Sequence, residues 1–399
     1  MFVGHMHSAA DPLPSSLRPR AQRALGRGTA PAFASVLLAA ALAWAALVWN
    51  TAATPSAAPR AASALPEAAG GPGTLPPLPA LPPRLSGTGL YVTGSTTVVA
   101  PENLGFVPQY PLWSDGATKR RWIALPPGTR IDATHPDAWV FPIGTRFWKE
   151  FSFGERTETR YLERLPDGSY RYATYIWDAA LGDAWLAPET GVRAAREIAP
   201  GVQHDIPSAA DCRSCHEGRR SPVLGFNALQ LSPDRDPLAP HREAVPPGSL
   251  DLPELVRREL LVNLPPALLE RAPRIDAPSA SARAAAGYLF GNCSSCHNAE
   301  GPLAVVGLDF DQTVGVPDGH AQLAAGVTRR SRFRIPGETA SFRALPAHPQ
   351  RSALWFRMHA RDATSQMPPL GTKLVDSEGL RLIEQWISND LNSPNQPSQ

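Results

Sequence analysis

The stretch Cys293-Ser294-Ser295-Cys296-His297 decides how the rest of this chain is interpreted. Its pattern, Cys-x-x-Cys-His, is the attachment signature of a c-type haem. Two cysteines three positions apart lie on one helical face, so both sulfurs can reach the vinyl groups of one porphyrin. The histidine follows directly and is placed to become the proximal iron ligand. The stretch therefore predicts a covalently bound haem on Cys293 and Cys296, with His297 ligating the iron.

The same pattern occurs earlier, as Cys212-Arg213-Ser214-Cys215-His216. The two motifs use all four cysteines of the chain, so none is left for a disulfide. The sequence thus predicts two covalently bound haem c groups, with iron ligated by His216 in the first and by His297 in the second.

A zinc site built from two Cys-x-x-Cys knuckles is the alternative interpretation. Zinc ribbons usually separate their knuckles by roughly 15–20 residues, whereas here the gap runs from Cys215 to Cys293. Zinc also does not require a histidine directly after both knuckles. The repeated histidine favours haem.

Composition and charge further narrow the class of protein to which the chain can belong. The chain has 399 residues, enough for two or three domains, and a formal net charge of +2. Residues 1–50 carry four arginines against Asp11, a net +3, which leaves −1 for the remainder. A nearly neutral main part gives no electrostatic argument for binding nucleic acid.

An apolar run extends from Ala32 to Trp49 and is interrupted only by Ser35. It is just long enough to span a bilayer, and the preceding arginines predict a cytoplasmic N-terminus. The run is interpreted as an uncleaved anchor in the inner membrane, with a cleaved signal peptide as the alternative. Either interpretation places the haem motifs outside the cytoplasm, on the periplasmic side of a bacterial membrane.

The composition predicts five regions and an α+β multidomain fold. After the basic N-terminus and membrane segment (1–50), an Ala/Pro-rich linker covers 51–84 and a β-rich domain covers 85–205. The first haem-binding segment (206–280) and a second haem domain (281–395) follow, and both are expected to be mainly α-helical. The aromatic residues of the β-rich domain are expected to form its core, with a ligand-stacking platform as the alternative.

Individual elements are also predicted from local patterns. Trp139, Phe141 and Ile143 alternate as in a strand, and Pro166-Asp-Gly-Ser169 predicts a hairpin turn between two strands. Helices are expected from Leu252 to about Val262 and from about Ser281 into Cys293. A last helix begins near Asp376, a good N-cap, and its stripe is Leu380, Ile383, Trp386, Ile387 and Leu391.

The C-terminal third resembles class I cytochromes c. Residues 105–390 resemble a bacterial family, largely without assigned activity, in which a β-rich domain precedes two Cys-x-x-Cys-His motifs. The matching stretches are Tyr110-Pro-Leu-Trp-Ser-Asp115, Trp139-Val-Phe-Pro-Ile-Gly-Thr145, Asn292-Cys-Ser-Ser-Cys-His-Asn298, Gly307-Leu-Asp309, Met367-Pro-Pro-Leu-Gly371 and Leu382-Ile-Glu-Gln-Trp-Ile387. The resemblance implies haem attachment at the four cysteines, proximal ligation by His216 and His297, and Met367 as a distal ligand.

The distal ligands are predicted less completely than the attachment sites. Met367 lies in a proline-stiffened loop before the last helix, where class I cytochromes c carry their methionine, whereas Met358 is expected to pack in a helix. The first haem has no comparable partner, and its sixth position is left open or is filled by one of His204, His241, His320, His348 and His359. The basic run Arg329–Arg334 either neutralises haem propionates or forms a solvated loop.

The sequence therefore predicts a dihaem c-type cytochrome that transfers electrons to and from redox partner proteins. A peroxidase-like haem enzyme, using an open coordination position on the first haem, is the alternative. A third interpretation makes the β-rich domain a binding module whose occupancy the haems report.

Overall fold

A computed structural model describes residues 78–180, 182–315 and 319–391. All of them belong to a compact unit, Pro77–Gln399. The apolar run Ala32–Trp49 and most of the predicted linker lie outside the described residues. Within those residues, no helix combines the length and the apolar character needed to cross a membrane.

A six-stranded antiparallel sheet dominates the first half of the described chain. Its strand order is β1-β2-β4-β5-β6-β7. The strands are β1 (Leu104–Gly105), β2 (Thr118–Ala124), β4 (Arg146–Phe153), β5 (Glu155–Arg164), β6 (Tyr170–Asp178) and β7 (Asp183–Leu186). The predicted hairpin is confirmed: β5 and β6 pair directly, and the Leu165 amide donates to the Ser169 carbonyl oxygen at 2.8 Å across the turn.

Each face of this sheet buries a different hydrophobic cluster. One face presents Phe147 and Leu162, which pack with Phe226 and Leu250 from the chain beyond residue 205. The opposite face presents Trp148 and Tyr175, among others, and is covered by residues that precede β1, such as Leu85, Leu90 and Tyr91. Because side chains alternate along a strand, neighbouring aromatic residues on β4 pack into hydrophobic clusters on opposite faces of the sheet.

Two smaller sheets complete the strand content of the described residues. β3 (Ile131–Asp132) pairs in parallel with β10 (Leu261–Val262), and β8 (Val192–Ala199) pairs antiparallel with β9 (Val202–Ile206). Strand β9 leads, after Pro207 and Ser208, into the helix that carries the first cysteine motif. The small β8–β9 sheet therefore fixes where that helix begins.

The described residues form seven short α-helices. They are α1 (Ala209–His216), α2 (Leu252–Arg257), α3 (Ala267–Glu270), α4 (Ala280–Cys293), α5 (Gly319–Val327), α6 (Ala353–His359) and α7 (Ser377–Gln385). Short 3-10 helices lie at Leu85–Thr88, Ala304–Val306 and Pro349–Arg351, and a π-helical turn at Trp386–Asp390 follows α7.

Helices α4 and α7 form the core of the C-terminal part. Asp376 caps α7 by accepting a 2.8 Å hydrogen bond from the Gly379 amide, and the predicted apolar stripe is buried. A Cβ on Gly287 would lie 1.9 Å from the Tyr110 ring, so this glycine lets α4 approach the segment before β2. The predicted helix that runs into Cys293 and the predicted last helix after Asp376 are therefore confirmed.

The predicted fold class is wrong. The described residues are β-rich, and those from residue 206 onward are not mainly α-helical: α4, with 14 residues, is the longest helix described there. Proline explains the difference, because it lacks the amide that a helix interior needs. Six prolines lie in the loop-rich segment between α1 and α2: Pro222, Pro233, Pro237, Pro240, Pro246 and Pro247.

Two local predictions also need correction. The helix expected to reach Val262 ends at Arg257, because Glu259 adopts a left-handed backbone (φ 55°) and Leu261 then pairs with β3. The stretch from Trp139 to Ile143 is not a regular strand: Trp139 and Phe141 are buried, but Ile143 is 53% exposed next to the turn at Gly144.

Candidate functional site

The first motif lies on α1, which has a complete capping box. The Ser208 hydroxyl accepts a hydrogen bond from the Asp211 amide, and the Asp211 carboxylate accepts one from the Ser208 amide at 2.9 Å. Such reciprocal caps satisfy two otherwise unpaired amides of the first turn. Cys212, Cys215 and His216 follow within the same short helix, which therefore holds their spacing.

The second motif lies at the C-terminal end of α4. Cys293 is the last helical residue, and the His297 amide donates to the Cys293 carbonyl oxygen at 2.9 Å. The Ser294 hydroxyl donates back to the Phe290 carbonyl oxygen at 2.7 Å. Both cysteines and the histidine are thereby held in one continuous turn.

The structure brings the two motifs into contact with each other. The Cys296 sulfur lies 4.0 Å from the Ser214 carbonyl oxygen, and the Cys296 thiol is close enough to Cys215 to act on its pKa. This contact, followed by burial, raises the pKa of Cys215. All four cysteines are free thiols. Groups attached at the two motifs would therefore share neighbouring attachment points.

Polar contacts between the flanking loops support this arrangement. The Asn298 side chain donates to the Gly218 carbonyl oxygen at 2.9 Å. Arg219 donates to the Ser294 hydroxyl at 3.2 Å and to the Asp311 carboxylate at 2.6 Å. Since each contact joins the loop after the first motif to the second-motif region, the two motifs are fixed as a pair.

A cavity of about 1060 Å³ lies against both motifs. Its volume is at the upper end of the roughly 300–1,000 Å³ that small-molecule and cofactor pockets occupy. The cavity is lined by every predicted attachment and ligand residue: Cys212, Cys215, His216, Cys293, Cys296, His297 and Met367. The structure thus gathers the whole predicted set around one space.

His216 is oriented by a backbone hydrogen bond. Its Nδ1 lies 2.6 Å from the Pro222 carbonyl oxygen, which requires the proton on Nδ1 and leaves the Nε2 lone pair free. Burial lowers the pKa of His216 to about 4, although this hydrogen bond acts in the opposite direction. A neutral, oriented imidazole is the form that ligates a metal.

His297 differs from His216 in its second nitrogen. Its Nδ1 is buried and has no hydrogen-bond partner among the described residues. Burial lowers the pKa of His297, and the charges of Arg357 and Arg343 lower it further. This imidazole is also neutral near pH 7, but it lacks the partner that would make it a stronger electron donor.

Met367 is held on the side of the second motif. Its amide donates to the Arg357 carbonyl oxygen at 2.9 Å, and the Arg357 side chain donates to the Ser365 carbonyl oxygen at 2.9 Å. The same arginine acts on the pKa of His297. Met358 also lines the cavity, but it is 7% exposed and belongs to the C-terminal hydrophobic core.

Of the five histidines predicted as alternative ligands, only His204 lines the cavity. Its Nε2 lies 3.3 Å from a carboxylate oxygen of the buried Glu158. Both nitrogens of His241 face carboxylates, at 2.8 Å in Asp376 and 3.3 Å in Glu378. His320 Nε2 accepts from the indole of Trp386 at 3.3 Å.

The predicted basic run contributes little to the cavity. Arg329, Arg330 and Arg334 are exposed, and of the four arginines only Arg332 lines it. Other cations that sequence reasoning missed do line it, including Lys149 and Arg160 on the central strands. The sequence does carry a signal for Lys149. It lies two positions from both Phe147 and Phe151, so strand alternation places all three residues on one core-facing side of β4.

The two β-region stretches named in the resemblance both contact the motif-bearing segments. In the first, the Trp113 amide donates to the Asn292 side chain at 2.7 Å, directly before Cys293, and Asp115 accepts from the Lys373 amide at 2.9 Å. In the second, the rings of Trp139 and Phe141 each lie 5.7 Å from that of Phe226.

The donor set fits a c-type haem at each motif. Each motif pairs two thiols with a neutral imidazole against a large cavity, and His216 also has the backbone partner that most ligating imidazoles have. The described residues contain no cluster of three or more His, Cys, Asp or Glu side chains arranged to hold a metal ion.

Compared with protein-family models, with curated proteins and with solved structures, the chain matches none.

Proposed function

We propose that this protein is a dihaem c-type cytochrome that carries electrons between redox partner proteins outside the cytoplasm. The observation that carries the proposal is the contact between the two motifs, in which Cys296 lies against Ser214 and Cys215 beside a shared cavity. A haem bound at each motif supplies an iron that changes between the ferric and ferrous states.

The chain's own residues have distinct roles in this proposal. Cys212, Cys215, Cys293 and Cys296 attach the two groups, and His216 and His297 supply the proximal nitrogens. Met367 supplies the distal sulfur of the second group. The main sheet supplies one wall of the cavity through Phe147, Leu162 and Tyr172, so the Pro-rich first segment need not enclose its group alone.

The first test counts covalently bound haem. The full chain, produced in cells that attach haem c, is extracted with acid and acetone, and haem retained by the polypeptide is measured. Two haems per chain are expected, and one in each double variant, Cys212→Ser/Cys215→Ser and Cys293→Ser/Cys296→Ser. Freely extracted haem, or stoichiometric zinc, would overturn the proposal.

A second test concerns the proximity of the two groups. Paramagnetic resonance of the oxidised protein should show interacting signals, because adjacent thiols attach the two groups. Each double variant should show a simple, isolated signal from the haem that remains. Wild-type signals that equal the sum of the two single-haem spectra would contradict a direct relay through the motif contact.

The location has its own test. Limited protease applied to intact spheroplasts should cleave the haem-bearing part, while a cytoplasmic marker protein stays intact. Protection of both would contradict a location outside the cytoplasm.

A further inference from the structure

Lys149 occupies the centre of the sheet face that lines the cavity. It lies on β4, directly opposite Arg121 on β2 and Arg160 on β5, so three cationic residues form a row across three strands. Phe147 and Phe151, two positions away on either side, share its face of the strand. Lys149 is half-buried, and a lysine on the core-facing side of a sheet requires an explanation.

The two flanking arginines each have a carboxylate, and Lys149 does not. Arg121 donates to both oxygens of Glu243, at 2.5 and 3.0 Å, and Arg160 donates to Glu158 at 2.6 and 3.1 Å. Within the described chain, the structure gives the Lys149 nitrogen only a ring contact, 4.9 Å from the Phe151 centroid. Removing an ammonium from water without a paired anion disfavours its charged form.

A neutral amine avoids this cost. Burial holds the pKa of Lys149 well below its usual value, and Arg121, Lys119 and Arg160 push it further down against the opposing charge of Glu243. Lysine loses its proton readily when buried. Once neutral, its nitrogen carries a lone pair.

Lys149 lies near the first motif. It lines the same cavity as His216, and its charge is one of those that lower the pKa of His216. The other donors are engaged elsewhere: His204 faces Glu158, and Met367 is tied to Arg357 beside His297. Among the described His, Met and Lys side chains that line the cavity, this lysine is the one placed near the first motif without a polar partner.

We propose that the Lys149 side-chain nitrogen is the sixth ligand of the iron held at Cys212, Cys215 and His216. The inference rests on the proposed function, since it needs a haem at the first motif. It deepens that function: a first haem with both axial positions filled is an electron carrier and not a site for peroxide.

The test uses the full-length dihaem protein. Magnetic circular dichroism in the near infrared separates imidazole–amine, imidazole–imidazole and imidazole–thioether ligation by the position of the charge-transfer band. Wild-type protein should show an imidazole–amine band. Lys149→Ala should lose that band, convert one of the two haems to high spin and bind carbon monoxide at that haem when reduced.

Two variants separate this role from the alternatives. Lys149→Arg places a positive charge at this position but cannot ligate, so under the proposal it should lose the imidazole–amine band as Lys149→Ala does. If Lys149→Arg instead keeps the wild-type spectrum while Lys149→Ala shifts only the potential, the lysine pairs with a haem carboxylate and the proposal is overturned. His204→Ala should leave the spectrum unchanged, and loss of a wild-type imidazole–imidazole band in this variant would also overturn it.

The wild-type spectrum decides the question even if Lys149→Ala does not accumulate: an imidazole–amine band supports the proposal, and its absence overturns it. Failure of the proposed function is distinguishable, because a first motif without covalent haem is detected by the haem count before any ligand is assigned.

Discussion

The Asn298 side chain donates a 2.9 Å hydrogen bond to the Gly218 carbonyl oxygen, and so joins the loops that follow the two motif histidines. The same amide nitrogen donates to the Ser294 carbonyl oxygen at 2.9 Å, and its oxygen accepts from the Gly301 amide at 2.7 Å. Asn298 is buried. One side chain thus fixes the spacing between two motifs that are distant in sequence.

The close approach at Gly218 gives the first prediction. A Cβ there would lie 2.6 Å from the Ser295 carbonyl oxygen, inside the second motif. Gly218→Ala should therefore lower the free energy of unfolding by about 1–3 kcal/mol, the usual cost of overpacking. It should also weaken the magnetic interaction between the haems. Denaturant titration and paramagnetic resonance measure the two effects.

Gly326→Ala is the matched control for this substitution. A Cβ at Gly326 meets nothing within 4 Å, and the residue lies inside α5. Because alanine favours helix, this control should be neutral or stabilising by roughly 0.5–1 kcal/mol. Equal stability changes in the two variants would show that the motif contact is not tightly packed.

Local signals in the sequence predicted local structure well. The hairpin turn Pro166–Ser169, helix α4 and the Asp376 cap each depend on a few neighbouring residues, and all three are confirmed. The predicted fold class is wrong because the resemblance to small haem domains implies helix across a segment whose prolines prevent it. The proline content of residues 206–280 predicts the observed loops better than the resemblance does.

Long-range relationships could not be predicted in the same way. Nothing in the sequence indicates that Cys296 lies against Ser214 and Cys215, because this contact depends on how α1 and α4 pack. The position of Lys149 could be predicted in part. Strand alternation shows which face of the sheet it lies on, but not which residues or cavity that face covers. The predicted attachment and ligand residues do line one cavity, whereas the walls around them come from the tertiary fold.

Met367 gives the second prediction. Thioether sulfur favours ferrous iron, so Met367→Ala should lower the potential of the second haem and open a position that binds carbon monoxide. Met367→His should keep six ligands but lose the sulfur-to-iron charge-transfer absorption. Optical spectra and a potentiometric titration measure these changes.

Met358→Leu serves as the control for Met367, because Met358 also lines the cavity and the exchange nearly conserves volume. It should leave both haem spectra unchanged and cost under about 1.5 kcal/mol of stability. Unaltered spectra in Met367→Ala together with altered spectra in Met358→Leu would transfer the ligand assignment to Met358.

The different environments of the two proximal histidines give the third prediction. His216 donates from Nδ1 to the Pro222 carbonyl oxygen, which raises the basicity of the imidazole, whereas Nδ1 of His297 has no partner among the described residues. A more basic imidazole stabilises ferric iron, so the first haem should have the lower potential. A redox titration should resolve two one-electron steps, and Cys212→Ser/Cys215→Ser should remove the lower one. Loss of the higher step would contradict the assignment.

Asp137 gives the last prediction, which concerns pH. Among the described residues, its carboxylate accepts only long hydrogen bonds, of 3.2 and 3.3 Å, both from the Val314 amide. Burial raises the pKa of Asp137 to about 6, and Asp311 adds to this, while the Val314 amide and Arg219 act in the opposite direction. Because the folded-state pKa lies above the unfolded value near 3.9, the folded state binds this proton more tightly.

Stability should therefore fall as pH rises from about 4 to about 6, and the loss should persist at pH 7. Asp137→Asn removes the titrating group, so it should be about 1–3 kcal/mol more stable than wild type at pH 7 and nearly equal to it at pH 4. Asp167→Asn is the control of opposite sign, since the hydroxyl and amide of Ser169 lower the pKa of that exposed carboxyl and stabilise its charged form. It should give no gain at pH 7. Denaturant titrations from pH 4 to pH 7 measure all three proteins, and parallel curves for wild type and Asp137→Asn would show that Asp137 does not titrate in this range.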